Sequence, residues 1–270
     1  MVFSEFEICC ANYLKSKYSH TGCTFEVNGG TDSTAPDIIV EKGGKLVCSI
    51  EVKEPNAQCG QFVAFADEGT RKFIYSELNH PKEPSKQSLA ILDAMAADFD
   101  KHKTPSAKEL GLNKQLYYDR IIDYYENYKQ SQFFMTREEV ESGDFIVFPT
   151  SHFKDYFDVS ACYRKKKSGS HNPNKRELAA LPTLLTKKIV DGYSVQQDGK
   201  YTNVLMNGNC PKCFILGDED RVQFRNIGGN LYRMTGLGKT NNPNVIFSIS
   251  LKSKQKADDL SAFEKLLCLD

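Results

Sequence analysis

Two short apolar runs flank a glycine pair early in the chain. β-Forming apolar residues fill positions 38–40 and 46–50, and the Lys-Gly-Gly-Lys segment 42–45 separates them. Two β-rich runs around a Gly-Gly turn predict a β-hairpin. Because side chains alternate between the two faces of a strand, Glu51 and Lys53 share one face of the second strand.

The remaining apolar residues predict a mixture of helices and short strands. Helical spacing predicts helices at residues 3–14, 85–101, 113–129, 151–157 and 257–267. Short apolar runs near Gly, Pro or Asn predict strands at residues 144–149, 204–206, 222–224, 231–234 and 245–251. Pro55 ends the second hairpin strand, and a helix or a further strand can follow it. The expected fold class is mixed α/β, with a β-rich second half.

The composition is that of an ordinary soluble globular protein. Of the 270 residues, 40% are hydrophobic and 26% are charged, and this length can bury a substantial core. No apolar run approaches the roughly 18 residues of a membrane span, and the N-terminus lacks a signal-peptide pattern. The nine cysteines are an odd number at irregular spacing. This usage favours reduced thiols in a cytoplasmic protein over a disulfide framework.

Positive charge is concentrated in one segment, although the chain as a whole is neutral. Lys and Arg together number 35, and Asp and Glu also number 35. Residues 163–176 contain six basic residues and no acidic residue. This basic segment can therefore present a positive face locally. The alternative is a solvated charged loop, which is the usual role of a charge run.

The hairpin can bring two carboxylates and a lysine to one point. Asp37 stands at the entrance of the first strand, where it can lie opposite Glu51 and Lys53. Magnesium prefers hard oxygen ligands, which the two carboxylates and the carbonyl of Val52 can supply. Lys53 could position or deprotonate an attacking water, or stabilise the charge of a pentavalent phosphate. These residues favour a metal-dependent nuclease. The alternative is an ordinary hairpin with charges on its solvated face.

Several polar residues elsewhere are candidates for supporting roles. Glu7 can face the same centre as an accessory residue, or it can cap the first helix. Gln58 and Gln61 can contact DNA or order the attacking water, or they can cap a following helix. Ser33 and Thr34 precede the hairpin and can contact DNA, or they can stabilise a turn.

Cys210 and Cys213 have the spacing of half a zinc knuckle. A structural zinc site needs four ligands. The chain contains no second C-x₂-C pair, and no histidine follows Cys213. A reverse turn is therefore expected at this pair.

Several blocks of the sequence carry a family resemblance. The Pro-Asp pair at 36–37, followed by the Glu-Val-Lys triplet at 51–53, is similar to the signature of the PD-(D/E)XK nucleases. Further blocks resemble type II restriction endonucleases, and most of all a small group that cuts the palindrome GCGC. These blocks are residues 51–55, 58–63, 145–149, 152–157, 163–170 and 244–252. Residues 77–88 and 205–220 match no block, and a change of specificity could lie there.

The resemblance implies a fold, and it implies that different regions of the chain have different functions. The implied fold is a PD-(D/E)XK core, in which helices flank a central mixed β-sheet. It lies within a single restriction-endonuclease domain over residues 1–270. Residues 1–150 then form the catalytic core, and residues 151–270 form the DNA-recognition region.

By the same resemblance, Asp37, Glu51 and Lys53 are the catalytic residues of a Mg²⁺-dependent enzyme that cuts double-stranded DNA. A companion DNA methyltransferase, which protects the host site, is also implied. The basic segment then contacts phosphates, and arginine or lysine there could read guanine. Its predicted DNA-binding residues are Tyr163, Arg164, Lys165, Lys166, Lys167, Ser168, Ser170, His171 and Asn172.

Two other functions stay open at this point. One is a non-catalytic DNA-binding protein built on a nuclease-like scaffold. The other is a structure-selective repair nuclease, which cuts junctions or flaps without a preferred duplex sequence. A four-base site can be cut by a monomer or by a dimer, and the sequence does not decide between them.

Overall fold

A computed structural model describes the chain as two compact units. The described residues are 4–28, 34–138, 144–165, 169–186, 190–199, 201–208, 213–215, 221–238 and 241–268. The larger unit comprises Phe3–Arg164 and Pro243–Asp270, and the smaller unit comprises Met1–Val2 and Lys165–Asn242. The single domain that the resemblance implies stays a prediction.

The described part of the chain contains runs of consecutive strands that are separated by helices. The helices are α1 (Glu5–Lys17), α2 (Lys86–Ala97), α3 (Phe99–His102), α4 (Lys114–Asp123), α5 (Phe153–Tyr156), α6 (Lys175–Ala179), α7 (Leu181–Thr186) and α8 (Ala257–Cys268). The strands are β1 (Cys23–Val27), β2 (Ile38–Lys42), β3 (Lys45–Val52), β4 (Asn56–Asp67), β5 (Lys72–Tyr75), β6 (Phe133–Arg137), β7 (Phe145–Pro149), β8 (Phe157–Lys165), β9 (Gly169–His171), β10 (Val190–Asp198), β11 (Tyr201–Gly208), β12 (Cys213–Ile215), β13 (Arg221–Gly228), β14 (Leu231–Gly238) and β15 (Pro243–Leu251). Within the described residues, none of the helices has the length and apolar character that a membrane crossing requires.

The predicted hairpin is confirmed as β2 and β3. Gly43 and Gly44 connect the strands with φ values of 57° and 76°, which a tight turn of this kind requires and glycine adopts readily. The predicted helix at residues 85–101 is interrupted at Asp98 and continues as α3. After Pro55 the chain forms the strand β4 and not a helix. The other predicted helices and strands correspond to α1, α4, α5, α8, β7, β11, β13, β14 and β15.

Sheet 1 of the larger unit carries the hairpin, in the strand order β1-β2-β3-β6-β7. Its neighbouring strands pair antiparallel, except that β3 and β6 run parallel. A parallel pair needs a long crossover, and the chain from β4 to α4 provides it. Helices α1 and α8 cover one face of this sheet, and their buried side chains include Leu14, Phe263 and Leu267.

The second face of sheet 1 is covered as well. Side chains alternate in β6, so Phe133 and Met135 pack in the core under α1 and α8, whereas Phe134 packs in a second core. This second core lies against sheet 2, whose strand order is β5-β4-β15-β8. Glu51 pairs in register with Phe134. The strand register therefore turns the Glu51 side chain to the face of sheet 1 that meets the second core, where Glu51 and Tyr125 line the same cleft.

The smaller unit is built on a sheet with the strand order β10-β11-β14-β13-β12, and β9 pairs with β14. Its core residues include Leu181, Leu185, Val204, Val222 and Met234. Cys213 begins β12, whereas Cys210 lies outside the described residues together with the turn predicted there.

Candidate active site

The antiparallel hairpin places the two predicted catalytic carboxylates side by side. Ile38 pairs with Ile50, so Asp37, just before β2, lies across from Glu51 on β3. The backbone N–H of Val52 donates a hydrogen bond of 2.9 Å to Asp37 Oδ2. Both carboxylates are buried, since Asp37 is 8% exposed and Glu51 is 1% exposed. Two acidic groups are thus fixed beside one another with little access to water.

The Lys53 ammonium lies among the predicted metal ligands. Its Nζ atom forms an ion pair with Glu51 Oε1, lies 3.5 Å from Asp37 Oδ2, and donates a hydrogen bond of 3.1 Å to the carbonyl oxygen of Val52. Three hard oxygen donors therefore surround one cation. Among the described residues, no group of three or more His, Cys, Asp or Glu side chains is placed to hold a metal. The predicted role of the Val52 carbonyl as a third oxygen donor to a metal ion stays a prediction.

Lys129 is a second buried lysine at the same carboxylates, and the sequence analysis missed it. Its Nζ atom donates a hydrogen bond of 2.5 Å to Glu51 Oε2 and lies 3.7 Å from Asp37 Oδ1. The residue is 6% exposed. In sequence it is 78 positions away from Glu51. A lysine near the end of a predicted helix usually lies in solvent, so no local signal marked it.

Burial and the two ammonium groups act in opposite directions on the carboxyl of Glu51. Burial raises the pKa of Glu51, and attraction to Lys53 and Lys129 lowers it without cancelling the rise. Burial lowers the pKa of Lys53, but attraction to Glu51 and Asp37 outweighs it and raises that pKa above its usual value. The ammonium groups are therefore what stabilises negative charge at this site.

An aromatic ring lies beside both ammonium groups. The Tyr125 ring centroid is 5.7 Å from Lys53 Nζ and 5.5 Å from Lys129 Nζ. The negative face of an aromatic ring attracts cations at such distances. Tyr125 is buried, and its hydroxyl oxygen accepts a weak 3.7 Å hydrogen bond from the Cys59 thiol. The ring thus helps to hold both lysine side chains in place.

A β-bulge in β4 shapes the rim of the cleft above these residues. Ser248 pairs with Gln58 and Ile246 pairs with Gln61, so Cys59 and Gly60 together oppose a single residue of β15. Gly60 has φ of +90°, which suits glycine and disfavours other residues. Bulges bend a strand and re-aim its side chains, often beside active sites.

The two predicted glutamines lie together at this rim. Gln58 Nε2 donates a hydrogen bond of 3.0 Å to Gln61 Oε1, and both residues line a cleft of about 470 Å³ that also contains Asp37, Glu51 and Lys53. Their alternative role as helix caps is wrong, because they belong to the strand β4. Their contact with DNA stays a prediction.

Of the two roles that the sequence left open for Glu7, the capping role is confirmed, and the accessory role stays a prediction. Its backbone N–H donates to Ser4 Oγ, and its Oε2 accepts a hydrogen bond of 3.1 Å from the Ser4 backbone N–H. This reciprocal pair is a capping box at the start of α1. Glu7 also lines the cleft that contains Asp37, Glu51 and Lys53. Thr34 is exposed in a turn before β2, and Ser33 lies outside the described residues.

The basic segment is not one continuous loop. Its described residues include the end of β8, the strand β9 and the start of α6. Tyr163 is 2% exposed, and its hydroxyl donates to the carbonyl oxygen of Ala64 at 2.9 Å. We therefore correct its assignment from a DNA contact to a core residue, because its side chain packs against Phe73.

The remaining predicted DNA contacts divide between the two units and the undescribed part of the chain. Arg164 is partly exposed and Lys165 is exposed at the end of β8. His171 Nε2 forms a hydrogen bond of 3.1 Å with the buried Glu177 carboxylate. Ser170 lies on β9, and Asn172 is exposed just after it. The predicted contacts that lie outside the described residues are Lys166, Lys167 and Ser168.

The fold and the buried Asp-Glu-Lys group are those of the class of the restriction endonucleases. A solved structure of the HhaI endonuclease in complex with DNA has 33% sequence identity and a TM-score of 0.71, over 100% of both chains. The chain therefore belongs to the HhaI endonuclease family. The predicted mixed α/β, restriction-endonuclease-like fold class is confirmed by this similarity. Models of protein families and curated proteins were also compared with the chain, and neither comparison gives a match.

Proposed function

We propose that this protein is a Mg²⁺-dependent restriction endonuclease that hydrolyses phosphodiester bonds of double-stranded DNA at a short palindrome, GCGC. The observation that carries the proposal is the convergence of Asp37, Glu51 and the Val52 carbonyl on one ammonium in an open cleft. The HhaI endonuclease, similar over its full length, was solved in complex with DNA. The GCGC site rests on the sequence blocks that resemble enzymes with that specificity.

The donor atoms fit a magnesium ion. Carboxylate oxygens and a backbone carbonyl are the hard ligands that Mg²⁺ takes, and Mg²⁺ keeps its other positions for water and substrate phosphate. Asp37, Glu51 and Val52 would hold the ion. When bound, the ion polarises the phosphate and lowers the pKa of a coordinated water.

Lys53 acts as a cation in this proposal. Its neighbouring carboxylates favour the charged ammonium, which can hold a phosphate oxygen and stabilise the negative charge that develops during hydrolysis. Glu51 orients Lys53 through their ion pair. Asp37 is itself oriented by the N–H of Val52. The side-chain amides of Gln58 and Gln61, at the rim of the cleft, suit hydrogen bonds to DNA.

The test is digestion of a sequenced plasmid by the purified chain, with Mg²⁺ or with EDTA. We expect discrete fragments only with Mg²⁺, with ends that map to GCGC. Glu51→Gln should reduce cleavage by about 100-fold or more, because it removes a charged oxygen donor. Glu54→Gln is the matched control, since Glu54 is on the same segment but pairs with Arg137.

Three outcomes would contradict the proposal. An intact plasmid under every condition, with DNA binding retained, would indicate a non-catalytic binding protein. Cleavage of junctions or flaps without a preferred duplex sequence would indicate a structure-selective nuclease. Discrete fragments with ends at another sequence would refute the GCGC specificity and leave the rest of the proposal standing. Protection of the plasmid by prior methylation of GCGC would support the implied companion methyltransferase.

A further inference from the structure

The four carboxylate oxygens of the site are divided between two ammonium groups. Lys53 contacts Asp37 Oδ2 and Glu51 Oε1, and Lys129 contacts Asp37 Oδ1 and Glu51 Oε2. Each carboxylate therefore has one oxygen toward each lysine. Two carboxylates could hold two cations in this way, one on each side.

We propose that Lys129 is a positioning residue that permanently fills one of these two cation positions, so that the site binds a single divalent cation on the Lys53 side. This inference rests on the proposed function, and it specifies how many metal ions the nuclease uses. Lys129 acts through Glu51 and Asp37. It fixes the orientation of both carboxylates and offsets about half of their combined negative charge.

Lys129 is the more buried of the two lysines that line the cleft, and its segment is tied to the strand that carries Glu51. The backbone N–H of Lys129 donates to Tyr124 O at 3.0 Å, which closes a π turn (Tyr124–Tyr128), a rare element that is frequent at functional sites. The Ser49 hydroxyl donates to the carbonyl of Gln130, and the Ser49 N–H donates to Gln132 Oε1 at 2.9 Å.

The Lys53 side differs in the two respects that a metal site needs. The Lys53 side chain is 19% exposed, against 6% for Lys129, so an ion can enter there from the cleft. The Val52 carbonyl supplies a third oxygen on this side. On the other side, the Lys129 ammonium contacts the two carboxylate oxygens and the Tyr125 ring.

Charge also opposes a second metal ion. In two-metal sites the ions lie about 3.5–4 Å apart and share the bridging carboxylates. A first ion has to displace only the partly exposed Lys53 ammonium, whereas a second ion would have to displace the more buried Lys129 ammonium from Asp37 Oδ1 and Glu51 Oε2. Like charges at such distances repel strongly in a water-poor site.

The test is a titration of the full chain with Mn²⁺, followed by calorimetry and electron paramagnetic resonance. It is done on the chain alone and again after addition of a GCGC duplex. We expect one Mn²⁺ per chain in both cases, with the spectrum of an isolated ion. Two Mn²⁺ ions with a spin-coupled spectrum would overturn the inference and leave the proposed function standing.

Variants separate a cation role from a purely structural role of Lys129. Lys129→Met removes the charge at similar length, and we expect it to bind the first Mn²⁺ about tenfold or more tightly, or to take up a second ion. Lys129→Arg keeps the charge and should retain one ion. If Lys129→Met is merely less stable, with unchanged Mn²⁺ affinity and stoichiometry, the inference is wrong. Lys129→Gln serves the same comparison if the methionine variant does not fold.

The variant Glu51→Gln distinguishes a failure of the proposed function from a failure of the inference about Lys129. The proposed function expects this variant to lose Mn²⁺ binding, because it replaces a charged ligand. If the unaltered chain binds no Mn²⁺, or if Glu51→Gln binds it equally well, the metal site itself is refuted and the inference falls with it.

Discussion

At the scale of single residues, the site consists of two carboxylates that form ion pairs with two ammonium groups. Asp37 and Glu51 are nearly closed to water, and each contacts both Lys53 and Lys129. A buried charge that loses its partner is strongly destabilising, whereas a paired one is tolerated. The ion pairs with Lys53 and Lys129 therefore hold both carboxylates in place.

The role of Lys53 gives the first residue-scale prediction. Lys53→Met should slow DNA cleavage by about 100-fold or more, because the cation that faces the phosphate is lost. Single-turnover kinetics with Mg²⁺ would measure the loss. Lys45→Met is the matched control, since Lys45 is an exposed lysine at the start of β3 and Lys53 directly follows the end of that strand. Equal rates for the two variants would refute this role of Lys53.

At the scale of elements, irregular backbone positions several residues that line the cleft. The bulge at Cys59 and Gly60 lies between Gln58 and Gln61, and the π turn precedes Lys129. Regular strands and helices build the two cores of the larger unit. The departures from regular geometry occur where side chains must be aimed into the cleft.

Gly60 allows the bulge geometry to be tested. Gly60→Ala should lower the free energy of unfolding by about 1–2 kcal/mol, because a Cβ disfavours positive φ. The added atom itself has room, since its nearest neighbour would be a Phe247 ring carbon at 3.9 Å. Urea denaturation in EDTA would measure the change. Gln61→Ala, at the exposed rim, should leave stability within about 0.5 kcal/mol. Equal stabilities of the two variants would contradict the strain argument.

Helix α8 is attached to the larger unit by a buried carboxylate. Asp259 is 4% exposed and accepts hydrogen bonds of 2.5 Å from the Tyr156 hydroxyl and 2.7 Å from His152 Nδ1. Asp259→Asn should lower the free energy of unfolding by about 1.5–3 kcal/mol, the range for hydrogen bonds to charged groups. The exposed neighbour Asp258 gives the control, Asp258→Asn, which should change stability by less than about 0.5 kcal/mol. Thermal unfolding of both variants would measure the two changes in stability.

At the scale of the whole molecule, buried cysteines belong to the cores and exposed ones do not. Among the cysteines of the described residues, Cys9 and Cys268 are exposed, whereas Cys10, Cys48 and Cys59 are buried. Burial raises the pKa of Cys48 and of Cys59 to about 12. The thiolate is the reactive form, so these buried thiols should be inert near neutral pH.

Thiol labelling tests this distribution over the whole chain. We expect an alkylating reagent at pH 8 to modify Cys9 and Cys268 rapidly, and Cys48 and Cys59 only after denaturation. Peptide mapping by mass spectrometry before and after addition of urea would measure each site. Rapid labelling of Cys48 or Cys59 in the folded protein would contradict the packing of the cores.

The sequence by itself determined the parts of this protein that depend on neighbours along the chain. The hairpin followed from two apolar runs and a Gly-Gly turn, and the spacing of Glu51 and Lys53 placed both on one face. Asp37 joined them because antiparallel pairing across a short turn fixes the register. The amphipathic helices followed from their apolar spacing.

Only the tertiary structure decided which distant residues meet. Lys129 reaches Glu51 across 78 positions, and its spacing resembles that of any lysine at a helix end. Tyr163 stood in a basic segment, yet strand alternation in β8 turns its ring into the core. The segment after Pro55 became a strand because β15, nearly 190 residues later, pairs with it. Local spacing fixes faces and turns, whereas contacts between distant segments depend on how complete sheets and helices pack.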